Sequence, residues 1–155
     1  MNTARIVLLS ICLLTLAGQN SSGQEQRGFG LGIILGEPTG ISMKGWLSNA
    51  NAIDAGVAWS FRRETSLHVH ADYLWHSFNV FSTKEEIPLY YGIGGRIKVG
   101  RNEDTRLGAR VVVGVDFLLH DAPLDFFLEV APILDLTPST ELNGNAGFGA
   151  RYWFR

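Results

Sequence analysis

His68, His70 and Asp72 are the residues whose types and spacing come nearest to a reactive or binding constellation. Spaced by two, they project from one face of a β-strand, and two imidazoles beside a carboxylate can hold a divalent metal. Such spacing also arises by chance, and no third well-defined ligand stands out elsewhere in the chain. The expectation is therefore hydrogen-bonded interior histidines, with no metal and no cofactor. His76 is in the same phase, nearer the rim. No GxGxxG or phosphate-binding loop leads into a helix, so nucleotide binding has no support. The single cysteine, Cys12, provides neither an internal disulfide nor a cysteine-based zinc site.

The elements that must carry these side chains are strands. From Gly28 onward the hydropathy alternates with period two, broken by clusters of Gly, Pro, Asn, Asp and Ser, and no helical period is found. Eight strands are predicted: Gly28–Gly36, Gly40–Leu47, Asn51–Phe61, Ser66–Ser77, Pro88–Val99, Arg106–Leu119, Leu124–Leu134 and Leu142–Phe154. Most breaks are short and carry turn residues, such as Ser48-Asn49-Ala50 and Thr137-Pro138-Ser139-Thr140. Only Phe78 to Ile87, with Lys84, Glu85 and Glu86, makes a longer connection.

Alternate residues sort into two sets. One holds more than thirty large apolar side chains, among them Leu31, Ile33, Val57, Ile93, Val113, Leu128 and Phe148, and no charge. The other holds Lys44, Asp54, His68, His70, Asp72, His76, Arg96, Lys98, Arg106, Arg110, Asp116, Asp125, Glu129, Asp135 and Arg151, with many glycines. Six basic groups face six acidic ones (histidines aside), so an interior network of paired charges is expected, because an isolated buried ion is far too costly.

The same segregation suits a soluble barrel with an apolar interior or a membrane barrel with an apolar exterior. Three features favour the membrane. The apolar set is too bulky for one narrow eight-strand interior. The charged face also carries Gly30, Gly56, Gly94, Gly114 and Gly149, which suits a crowded lumen better than a solvated surface. Finally, Phe29, Trp75, Tyr91, Phe117, Phe126, Tyr152 and Phe154 all fall at the end where the chain begins, as one aromatic girdle, with Trp59 and Phe61 at the other end. In this topology the long connection from Phe78 lies on the periplasmic side, the reverse of the usual loop asymmetry.

Ahead of the strands, Arg5 and the apolar run Ile6 to Ala17 have the outline of a secretory signal peptide. The run is too short for a transmembrane helix, which needs ~20 residues. Small residues offer cleavage after Ala17 or after Gly23; Gly23 is taken, giving a signal peptide over 1–23 and a barrel domain over 24–155. Ile11, where a lipobox wants a small residue, argues against a lipoprotein. Hydrophobic residues make up 46% of the chain and the formal net charge is only −2, which excludes both a disordered chain and a nucleic-acid binder.

The ending Phe148-Gly149-Ala150-Arg151-Tyr152-Trp153-Phe154 resembles the C-terminal signature of bacterial outer-membrane barrels, with Arg155 displacing the aromatic from the last position. In strand count and length the chain is similar to the small barrels of the OmpA and OmpX type. Gly36-Glu37-Pro38-Thr39-Gly40-Ile41-Ser42, the His68 to Trp75 strand and Asp121-Ala122-Pro123-Leu124-Asp125 resemble a group of barrel proteins of unknown function. The resemblance implies an outer-membrane barrel read by the barrel-assembly machinery, and brings no activity or site.

Some eight-stranded outer-membrane barrels modify lipid A, a chemistry needing His, Ser and an acid on the lipid-facing wall or in large outer loops. The apolar set contains none of these, and the connections near Pro38, Glu64, Asn102 and Pro138 are short. The reading is thus an all-β, eight-stranded antiparallel up-and-down transmembrane barrel, non-catalytic and monomeric, in contact with outer-membrane lipid and not with nucleic acid. The competing readings are a soluble periplasmic lipocalin-like barrel binding a small apolar ligand, and a lipid A-modifying enzyme.

Overall fold

The computed structural model describes residues 28–37, 39–60, 66–81, 83, 86–100 and 104–154. Residues 1–23, read above as a signal peptide, together with Phe61, Lys84, Glu85, Arg155 and the turn residues Pro38, Glu64 and Asn102, lie outside the described residues.

Eight antiparallel strands close into one barrel: β1 (Phe29–Glu37), β2 (Thr39–Trp46), β3 (Asn51–Ser60), β4 (Ser66–Ser77), β5 (Leu89–Gly100), β6 (Arg106–Leu118), β7 (Leu124–Thr137) and β8 (Glu141–Phe154). Each strand pairs with its sequence neighbour, and β1 closes on β8 with Phe29 opposite Phe154. Closure leaves no unpaired edge. The up-and-down order puts both described chain ends at one end of the barrel, together with the β2–β3, β4–β5 and β6–β7 connections.

Period-two alternation decides which way each side chain points. In β4, Ser66, His68, His70, Asp72, Leu74 and His76 are buried, while Leu67, Val69 and Ala71 between them are exposed. The same phase runs around the barrel. The apolar set faces outward, with Leu31, Ile93, Val113, Leu128 and Phe148 each more than a third exposed. The soluble alternative, in which Leu31, Val113 and Leu128 line an apolar cavity, is thereby corrected: these side chains form the outer wall.

Three features depart from the sequence expectation. First, β7 continues past Leu134 to Thr137, because Asp135 turns inward to Arg96 and pairs across the strand with Glu141. A bulge follows at once, with Leu107 opposite Thr137 but Gly108 opposite Asp135, so Leu136 has no partner on β6. Second, the interior is less uniformly polar than the two-set reading implies, since Ile34, Leu74, Val112, Leu118, Phe127, Ile133 and Trp153 are buried in it. Third, the long connection after β4 is partly structured: a short 3-10 turn spans Phe78–Val80, and Glu86 bridges to Leu118.

The interior glycines have a specific use. Across the strand pairs, Gly30 lies opposite Trp153, Gly56 opposite His70, Gly114 opposite Tyr90 and Gly149 opposite Phe127. In each case the larger side chain lies over the glycine. A Cβ on Gly149 would stand 2.5 Å from Phe127 Cζ, and one on Gly56 would stand 2.4 Å from His70 Cε1. Large residues thus fill the narrow lumen by folding over neighbours that have no side chain. Gly36 alone among the described residues has a positive φ, 141°, at the tip of β1.

Candidate functional site: the charged lumen

The inward side chains form layers along the barrel. At the end bearing the chain termini, Trp46, His76, Phe78 and Trp153 pack together, with ring centroids of Trp46 and His76 4.4 Å apart and those of Trp46 and Trp153 6.3 Å apart. This aromatic cap was not legible as a unit, because Trp46, Phe78 and Trp153 lie far apart in sequence and occupy an otherwise charged face. His76 belongs to it. Its side chain is fully buried in this end layer, with Nε2 3.4 Å from Asp116 Oδ2.

Behind the cap, Arg151 on β8 gathers three carboxylates from three strands. Its Nη2 donates to Asp116 Oδ1 at 2.8 Å, its Nη1 to Asp54 Oδ2 at 3.2 Å and its Nε to Asp125 Oδ1 at 3.1 Å. The guanidinium stacks 4.1 Å from the centroid of the Phe127 ring. Lys44 on β2 binds the second oxygen of Asp116 and sits between the faces of Trp46 and Tyr90, at 5.0 and 4.9 Å. A planar fork with donors on several edges is what one cation needs to serve three acids.

The next layer is organised by Arg110 on β6. Its Nη2 donates to Glu129 Oε1 at 2.6 Å, and its Nε lies 2.8 Å from Asp72 Oδ2. Tyr90 donates its hydroxyl to the other Glu129 oxygen at 3.0 Å. Toward the far end, Arg96 makes a two-pronged contact with Asp135, at 3.0 and 2.6 Å, and Asn143 donates to the same carboxylate at 2.7 Å. Arg106 closes this end, part-exposed, on Glu141 at 2.6 Å.

The two histidine rings meet edge-on, 5.7 Å between centroids, but engage different partners. His68 turns toward Asn145, 3.5 Å from its Nε2, while His70 turns toward Asp54, with Nε2 3.7 Å from Oδ1. The constellation His68, His70, Asp72 is therefore not a unit. Asp54, directly opposite Asp72 in the β3–β4 ladder, joins His70 and Asp72 instead, their ligand atoms lying within 4.8 Å of one another. Strand spacing alone hides this residue, because its proximity depends on the register between two strands. Lys98, expected in the network, is half-buried near the far end, opposite His68 on β4 and Arg106 on β6.

The aromatics expected in a girdle all point outward at the end bearing the termini. Phe29 faces Phe154, and Phe117 faces Phe126 across their ladders. Trp75 stacks on Tyr91 at 5.8 Å, and Tyr152 meets Phe154 edge-on at 5.1 Å. Trp59 points outward near the opposite end.

Fold and interior together define a class: an eight-stranded antiparallel barrel of OmpA-like architecture with its polar side chains inside. Two solved structures share the fold. The N-terminal β-barrel domain of Pseudomonas aeruginosa OprF is 12% identical, with a TM-score of 0.57 over 81% of this chain and 95% of that one. Neisserial surface protein A (NspA) is 15% identical, with a TM-score of 0.51 over 81% of this chain and 93% of that one. At this identity the likeness is one of architecture. No protein-family model and no curated protein matches the sequence.

Proposed function

We propose that the chain is an integral barrel of the bacterial outer membrane, exported by a signal peptide over residues 1–23, that serves as a non-catalytic structural component of that membrane. The observation carrying this reading is the outer wall. Large apolar side chains cover it on all eight strands, while the charged side chains of the strand interiors point into the lumen. Such a surface far exceeds the few hundred Å² of contiguous apolar area that a soluble monomer tolerates. The paired aromatics at the end bearing the termini suit a membrane–water interface, and that end is taken as the periplasmic one.

The non-catalytic reading rests on two features. The outward apolar set offers no nucleophile or base to a lipid, and most of the interior acids and bases are engaged with one another. The barrel is taken as a monomer surrounded by outer-membrane lipid and inserted by the barrel-assembly machinery through its last strand, with no nucleic-acid partner.

The test is gel mobility of the full-length chain, expressed with its leader and taken from isolated outer membranes, with and without boiling. A detergent-resistant barrel in that fraction shifts on heating. Recovery from the soluble periplasm with no shift would overturn the reading.

A further inference from the structure

Asp54, His70 and Asp72 form a pocket of three metal-capable side chains, 5%, 4% and 1% exposed. We infer that this pocket is a binding site for one divalent first-row transition ion, held by His70 Nε2 and one oxygen from each carboxylate.

Three observations carry the inference. The first is distance. His70 Nε2 and Asp54 Oδ1 are 3.7 Å apart, too long for a hydrogen bond. Two ligands at ~2.1 Å on a tetrahedral ion stand about 3.4 Å apart, so this gap is close to one that a shared ion would set.

The second is the division of oxygens. Arg151 Nη1 takes Asp54 Oδ2, and Arg110 Nε lies against Asp72 Oδ2, so both guanidinium groups stand on the Oδ2 side. Both Asp72 oxygens and Arg110 Nε are buried without a hydrogen bond, so Arg110 meets this carboxylate as an ion pair alone and leaves it open to a further partner. His70 Nδ1 is likewise buried without a hydrogen-bond partner. Buried polar atoms without partners are few in native proteins and call for a missing one. Cations that bind the outer oxygens of ligating carboxylates are what a metal site's supporting groups do.

The third is charge. Among the described residues of the two deep layers, Asp54, Asp72, Asp116, Asp125 and Glu129 share Lys44, Arg110 and Arg151, an excess of two negative charges when the histidines are neutral. A divalent cation restores balance at the point where the unpartnered atoms lie. The mixed imidazole and carboxylate set suits Zn²⁺ among such ions. The inference does not depend on whether the barrel sits in a membrane, since the pocket is inside it.

The experiment uses the full chain, folded in detergent, stripped with chelator, equilibrated with Zn²⁺ and freed of loose metal. Metal analysis is expected to give one zinc per folded chain. His70→Gln and Asp72→Asn should each lower retained zinc by about 10-fold or more, while His68→Gln leaves it unchanged. A β-strand circular dichroism spectrum confirms that each variant is folded. Folded wild-type protein that retains no zinc overturns the site, as does a folded His70→Gln that retains all of it. Should the variants not fold, wild-type protein loaded with Co²⁺ decides: strong visible absorption of a low-coordinate site supports the assignment, and a spectrum like that of aqueous Co²⁺ overturns it.

Discussion

Arg151 shows how much of the lumen turns on one side chain. It satisfies carboxylates on β3, β6 and β7 at once, so replacing it by Met leaves three buried acids short of a partner. Breaking a buried ion pair from one side costs about 3–5 kcal/mol. Urea unfolding of Arg151→Met should show a loss of this size, whereas Arg106→Met, whose partner Glu141 is half exposed, should lose under about 1 kcal/mol. Equal losses would mean that the interior carboxylates relax into water. Glycines give a second residue-scale contrast. A Cβ on Gly114 would meet Tyr90 Cζ at 2.4 Å and the Leu128 carbonyl oxygen at 2.5 Å, while one on Gly144 meets nothing nearer than 3.9 Å. Gly114→Ala should therefore cost about 1–3 kcal/mol in the same titration, and Gly144→Ala should stay within about 0.5 kcal/mol. The inward direction of all these residues was legible from alternation. Which acid meets Arg151 was not, because its partners are contributed by strands distant in sequence, and strand spacing records neither register nor side-chain reach.

The strands obey a simpler rule, and so were easier to read. Every residue in β6 from Leu107 to Leu118 alternates between exposed or half-exposed and buried, and the neighbouring strands keep that phase, which is why the element order and the outward set followed from the sequence. Two element-scale features escaped it. The end of β7 is set by Asp135, a polar residue beside a Pro-containing turn that reads as a strand stop until Arg96 is seen to hold it inward. The aromatic cap is built by inward Trp46 and Trp153, whose types match the outward set although their positions do not. The outward phase makes its own prediction. Val113 lies midway along β6 and faces out, so Val113→Arg should destabilise the barrel in lipid bilayers by about 2–4 kcal/mol, while Leu142→Arg at the start of β8 should cost no more than about 1 kcal/mol. Unfolding from vesicles in urea measures both. A similar small cost at the two positions would mean that Val113 does not face hydrocarbon.

For the whole molecule, the layers set a limit on what can pass through it. An aromatic cap, the Arg151 cluster, the Arg110 layer and the Arg96–Asp135 pair succeed one another along the lumen, and each is cross-linked between strands that are not neighbours in the barrel. Eight strands enclose just enough room for such side chains, so their ion pairs are expected to close the interior to water. Vesicles reconstituted with the protein should hold an entrapped ion as well as protein-free vesicles do. The informative variant is Trp46→Ala with Trp153→Ala, which removes the cap and leaves the charged layers intact. It should weaken the barrel without raising ion release, because the closure comes from the paired charges behind the cap. Release from the double variant alone would assign the seal to the aromatics. Release from the wild type would mean that the ion pairs exchange partners readily enough to open a path, and the lumen would then be a gated channel instead of a brace.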